Sequence, residues 1–200
     1  MKKLILIFAL ALCGCKASRD ITPQTEIVNS KAPCITEEDQ KVLESAVKLF
    51  ESKLQTQYPD LSISRAYSRF IHDWSESKFA PEFYQDSLAM KVRKMNLWTE
   101  SPRQEKYMEL EKQIFKVDSM NPVSIKLSTG FSKCLARKMD WRTSSSSFLL
   151  ANAKYRLSPR LVSRSIFRWG WAELEESKKL EPRLTIVLGI YYQTMFNLKS

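Results

Sequence analysis

Glycine is scarce in this chain, with four in 200 residues. That argues against a turn-rich all-β fold, which needs glycine at its reversals. There is a single histidine, His72, and one imidazole with widely separated thiols does not make a zinc site. No apolar run reaches the eighteen or so residues of a membrane-spanning helix. The longest uncharged run, Leu184 to Leu198, has fifteen residues and reads as a core helix. Gly-x-Ser-x-Gly, His-Glu-x-x-His and the phosphate-binding glycine loop are all missing. Acid is also under-represented, leaving a net charge of +10.

What the chain does have begins at its first residue. Met1-Lys2-Lys3 is a short positive start, and Leu4 to Leu12 is an apolar run of nine residues. Such a run is too short to span a bilayer and fits the core of a signal peptide. The run ends in Leu12-Cys13-Gly14-Cys15, which resembles the lipobox of bacterial lipoproteins. Leu12 stands at the aliphatic position, Gly14 at the small residue before the cut and Cys15 just after it. Cys13 between them is less usual in that pattern, but it is small. The resemblance implies cleavage before Cys15, a diacylglyceryl thioether on its sulfur, and attachment in the bacterial cell envelope. The alternative is an ordinary secretory signal cut nearby, for example after Ala17. Lys16 is not the aspartate that retains enteric lipoproteins in the inner membrane, so the resemblance implies an outer membrane where the cell has two.

Three segments follow from this reading: 1–14 as signal peptide, 15–34 as lipidated N-terminus and flexible tether, and 35–200 as a helical domain. The tether is polar, with Pro23 and Pro33 and no sustained periodicity. As a coil it would span roughly 25 Å. Losing Lys2 and Lys3 leaves a charge of about +8 on the mature chain. With Cys13 removed and Cys15 lipidated, Cys34 and Cys134 remain. An exported setting permits a disulfide between them; two separate buried thiols are the alternative.

The domain reads as all-α, an irregular bundle of about seven or eight helices. Thr36-Glu37-Glu38-Asp39 is a helix start, and Leu43, Ala46, Val47, Phe50 and Leu54 recur behind it at helical spacing. Tyr58-Pro59-Asp60 ends that helix. Ile63, Ala66, Tyr67, Phe70, Ile71 and Trp74 line a second. A third is expected from Pro81 through Tyr84, Leu88, Val92 and Met95, and a fourth after Ser101-Pro102. Asn121-Pro122 predicts a fifth start, with Thr129-Gly130 in the middle of that helix. Ser144 to Ser147 reads as a polar turn before a short helix from about Phe148 to Tyr155. Ser158-Pro159 starts the next helix, and Glu181-Pro182 separates it from the last.

Chemistry is harder to find. His72 stands next to Asp73 and four before Glu76, a spacing that can hold a metal or polarise an imidazole. A lone helix-surface histidine is more commonly just solvated, so neither a metal nor a cofactor is assigned and no residue is taken as catalytic. The sequence offers no case for an enzyme.

The unusual feature is charge. From Pro122 to Arg168 there are ten basic residues and one acid, Asp140. Arg160, Arg164 and Arg168 recur every fourth residue. At 100° per residue they fall opposite a core stripe of Val162, Ile166 and Trp169, with Trp171 on their side. Trp171 is three residues past Arg168, within reach of a cation–π contact. Glu173 falls on the core side, so the same phase cannot continue past Gly170 unless Glu173 meets a buried base.

Arg160, Arg164, Arg168 and Trp171 are the candidate binding face for an anionic partner: an acidic protein, an anionic lipid or a polyanionic glycan. Nucleic acid is not expected for an exported chain. The function this supports is a membrane-anchored binding or accessory module. The alternative is an immunity- or inhibitor-type lipoprotein acting against a toxin or hydrolase.

Overall fold

A computed structural model describes residues 34–100, 105–117, 119–121, 123–126, 130–139, 144–155, 157–167 and 180–198. Residues 1–33, read from the sequence as a signal peptide and tether, lie outside the described residues, as do Arg168, Trp169, Trp171 and Glu173. The described chain is all-α apart from one two-stranded sheet.

The first helix, α1 (Glu37–Gln57), opens on a side-chain cap: the Asp39 backbone N–H donates to Thr36 Oγ1 at 3.1 Å. Glu37, Glu38 and Asp39 place negative charge at the positive end of the helix dipole. Its buried stripe is Leu43, Ala46, Val47, Phe50 and Leu54, the spacing that puts one face toward a core. Antiparallel or not, the next helix must cover that face, and α2 (Ile63–Ser75) does so with Ala66, Tyr67, Phe70, Ile71 and Trp74.

The expected third helix does not run through. Pro81–Tyr84 forms one 3-10 turn, the chain extends at Gln85, and α3 (Ala89–Lys94) starts afresh. Asp86 is the reason: its carboxylate accepts from the Leu88 N–H at 2.6 Å, a local bond that competes with helix continuation. Lys53 of α1 holds the break in place by donating to the carbonyls of Phe83 (2.8 Å) and Gln85 (2.5 Å).

The strand β1 (Trp98–Glu100) follows, then α4 (Glu105–Phe115). Asn121 does not start a helix. It leads into β2 (Val123–Ile125), which pairs antiparallel with β1 in the register Trp98–Ile125, Thr99–Ser124 and Glu100–Val123. The pairing is favoured because Val123 and Ile125 are β-branched and fully buried. Asn197 closes the strand's entry: its side-chain oxygen accepts from the Val123 N–H at 2.7 Å and its backbone carbonyl from the Asn121 N–H at 2.8 Å. Gly130 stands immediately before α5 (Phe131–Lys138) rather than inside a helix.

Ser144 to Ser147 belongs to the first turn of α6 (Ser144–Lys154), with Ser145 and Ser146 buried. The helix α7 (Pro159–Phe167) begins where Ser158-Pro159 places it. Pro182 does not break the last element. It sits in the first turn of α8 (Leu180–Ile186), where its missing N–H costs nothing. That helix widens into π-helical turns (Val187–Tyr192) and continues as α9 (Gln193–Asn197). Leu184, Ile186, Val187, Leu188, Ile190, Tyr191 and Tyr192 are all buried, so the final apolar stretch is the centre of the core. Among the described residues no helix is long and apolar enough to cross a membrane.

Two features fasten the fold. The carbonyl of Gly189 accepts from Asn152 Nδ2 at 3.1 Å, and a β-carbon at Gly189 would stand 3.0 Å from the Phe148 ring, so only glycine allows that approach without a shift. Cys34 and Cys134 are joined by a disulfide with 5.5 Å between their α-carbons, fixing the chain before α1 to the middle of α5.

Candidate functional site

Three consecutive helices carry one sign of charge. Lys133, Arg137 and Lys138 are exposed on α5, Lys154 on α6, and Arg160 and Arg164 on α7. The described segments that form these helices contain no aspartate or glutamate. The helices form a continuous layer, α5 packing on α6 and α6 on α7, while α7 also packs on α2.

The geometry of α7 follows from its sequence. Ser158 supplies the first acceptor, taking the Leu161 N–H at 2.9 Å and the Val162 N–H at 3.0 Å on its carbonyl. Pro159 fits the first turn. Val162 is buried, which turns Arg160, Leu161 and Arg164 outward within about 100° of one another. Sequence reasoning therefore places Val162, Arg160 and Arg164 where the structure does. Arg168 and Trp171 lie outside the described residues, and with them the proposed arginine–tryptophan contact.

Sequence reasoning missed the apolar part of this surface. Four large hydrophobic side chains among the described residues are exposed, and three belong to this layer: Leu150 at 38%, Leu161 at 50% and Tyr155 at 57%. Ser147, Leu150 and Lys154 share the outer face of α6 by their three- and four-residue spacing. The Lys154 ammonium lies 5.0 Å from the centre of the Tyr155 ring, within cation–π range. The signal that could have found them is Leu150 and Leu161 falling off the stripes of their own helices. Chemically, such a layer can bind anionic groups and cover apolar ones; its described helices hold no acid–base pair.

The histidine cluster is a different kind of site. His72 Nδ1 is 3.1 Å from Asp73 Oδ1 and Nε2 is 3.4 Å from Glu76 Oε1. The three groups could hold a cation by distance alone. The ammonium of Lys78 already stands between the two carboxylates, 3.1 Å from Asp73 Oδ1 and 2.5 Å from Glu76 Oε2. Arg69 Nε and the Tyr58 hydroxyl complete the set on Asp73 Oδ2 at 2.9 and 3.0 Å. Burial alone would raise the Asp73 carboxyl, but bonds from His72, Lys78, Tyr58 and Arg69 outweigh it and hold it below the ordinary carboxylate range. Burial and the neighbouring Asp73 carboxylate push the Tyr58 phenol up. This network ties the C-terminus of α2 to the end of α1.

A groove of about 540 Å³ lies between α3 and α9, lined by Tyr84, Asp86, Met90, Arg93, Met195 and Phe196 among others. Its two charged groups are engaged within the fold. Asp86 Oδ2 accepts from the hydroxyls of Tyr191 at 3.3 Å and Tyr192 at 3.0 Å. Arg93 pairs with Glu100 and lies over the Phe196 ring at 5.3 Å. The α5–α7 layer is therefore the better candidate, because its charges point outward. Comparison with protein-family models, with curated proteins and with solved structures finds no match to this chain.

Proposed function

We propose that this chain is a lipoprotein of the bacterial envelope, anchored through Cys15, that works without catalysis as a binding module for an anionic partner. The observation that carries this reading is the α5–α7 layer: six exposed lysines and arginines, with no acid in the described segments that form it. Single-sign charge of this extent raises the local concentration of anions and speeds their encounter, an effect that falls with salt.

The anchor has its own test. Cys15→Ser should abolish labelling with a lipid precursor and move the protein from the membrane fraction to the soluble one. Unchanged mobility and unchanged membrane association would remove the lipobox reading.

Charge reversal tests the binding layer. Arg160→Glu, Arg164→Glu and Arg168→Glu together should leave the circular dichroism spectrum unchanged, because Arg160 and Arg164 are exposed. On a sulfated-polysaccharide column the variant should elute at clearly lower salt than the parent. Elution at the same salt would show that this layer does not carry the binding. Loss of the helical spectrum would show that the arginines hold the fold together and that the layer is not a free binding face.

A further inference from the structure

We infer that the anionic partner of the α5–α7 layer is the lipid surface of the protein's own membrane, and that the α6–α7 corner, with Leu150, Tyr155 and Leu161, dips into it. The inference rests on the proposed anchor and basic layer and adds the partner's identity.

Two observations support a membrane. The first is the mixture of side chains at the corner. Tyr155 follows α6 directly, and Arg160-Leu161 lies in the first turn of α7, so four residues of chain separate the tyrosine from the arginine. Leu150 precedes Lys154 by one helical turn on the outer face of α6. Aliphatic side chains, a tyrosine and flanking lysine and arginine are the composition of a segment lying at the headgroup boundary. There the apolar groups enter the acyl edge, while the long basic side chains keep their charges among the phosphates. Leucines exposed at 38% and 50% beside these charges offer an apolar contact that the headgroup boundary can take up.

The second observation is the disulfide. The stretch read as the tether ends at Cys34, and Cys34 is bonded to Cys134 in the middle of α5. The proposed anchor therefore enters the domain at the first helix of the basic layer. If the stretch from Cys15 to Cys34 is a flexible coil, lipid at Cys15 would hold that side of the domain at a mean distance of roughly 25 Å from the headgroups. With retention already secured by the lipid, contact at the corner has another consequence. It gives the domain one fixed orientation, so the same faces of the molecule always look away from the membrane.

Vesicle sedimentation decides the matter. The chain from Lys16 onward keeps the disulfide and every buried core residue, the first of which is Leu43. It should sediment with vesicles of phosphatidylcholine and phosphatidylglycerol in a 3:1 ratio and stay in solution with phosphatidylcholine alone. Each neutralised basic side chain should weaken binding roughly fivefold. Tyr155→Ser with Leu161→Ser, which keeps every charge, should weaken it about tenfold or more. Hydrogen exchange on the full lipidated protein in the same vesicles should show protection at 147–164 that is absent in detergent.

The outcomes separate the two readings. If the serine variant binds vesicles as tightly as the parent, the insertion is wrong and the electrostatic reading stands. If the parent ignores anionic vesicles but still binds the polysaccharide column, the partner is a soluble polyanion or an acidic protein and the membrane inference falls. If charge reversal changes neither, both fall.

Discussion

Replacing Cys34 and Cys134 together by alanine is expected to destabilise the fold by about 2–5 kcal/mol. The disulfide spans a sequence separation of 100 residues. In the chain-entropy view, closing a loop of about that length removes roughly 4.7 kcal/mol worth of denatured-state freedom. The bond also has native-state neighbours to hold. Cys34 and Ile35 lie against Phe131, Leu135, Leu180 and Leu184, at the place where α1, α5 and α8 approach one another. Without the cross-link, Ile35 is the described residue before Thr36 that still packs on the core, and the α1 cap loses its fixed approach. Urea unfolding is the measurement. The midpoint should fall in the double variant, and reduction of the parent should reproduce the fall. If oxidised and reduced parent unfold at the same midpoint, the bond adds nothing to the fold. A second readout bears on function: with the bond gone, the proposed anchor would no longer enter beside α5, and protection of 147–164 in anionic vesicles should drop while helical content at low temperature persists.

The all-α class was legible because its two best helices are strictly periodic. In α1 and α2 the cap at Thr36 and the apolar steps of three and four residues point to the same boundaries that the structure has. The outward position of Arg160 and Arg164 was legible for the same reason, since one buried residue, Val162, sets the phase of a short helix. The β1–β2 pair was not. Three residues on each side are too few for a period-two pattern to declare itself, and β2 depends on Asn197, more than seventy residues away, for its first hydrogen bond. The serine run at 144–147 reads as a turn by propensity, yet burial of Ser145 and Ser146 overrides that preference. The break at Gln85 hinges on Asp86 bonding to its own backbone, a choice that propensity alone leaves open. The cluster around Asp73 was visible only as His72, Asp73 and Glu76. Tyr58 joins it from the end of α1, Arg69 from one turn earlier in α2 and Lys78 from the chain after α2, and their arrival turns a potential cation site into an ion-pair network.

Phe50→Ala should produce the other large loss, about 3–5 kcal/mol. Phe50 is fully buried on α1, and its ring meets three others: Tyr67 at 5.5 Å and Phe70 at 4.9 Å on α2, and Tyr191 at 4.8 Å in the π-helical turns. The first two are edge-on, the geometry that adds to simple burial for aromatic pairs. Truncation removes those contacts and leaves a cavity bounded by three helical elements. The cavity cannot close easily, because Tyr191 and Tyr192 are themselves held by Asp86 and Tyr67 by Glu51. The hydroxyl anchors keep the surrounding rings from collapsing inward, so the cost should sit toward the upper end of the range. Leu161→Ala is the contrasting variant. Its side chain is half exposed, and its unfolding midpoint should stay within about 0.5 kcal/mol of the parent. A Phe50→Ala midpoint close to the parent's would mean that the core is not organised on this ring. A large loss at Leu161 would mean that the corner is a packed interior surface, and the membrane contact argued for it would lose its basis.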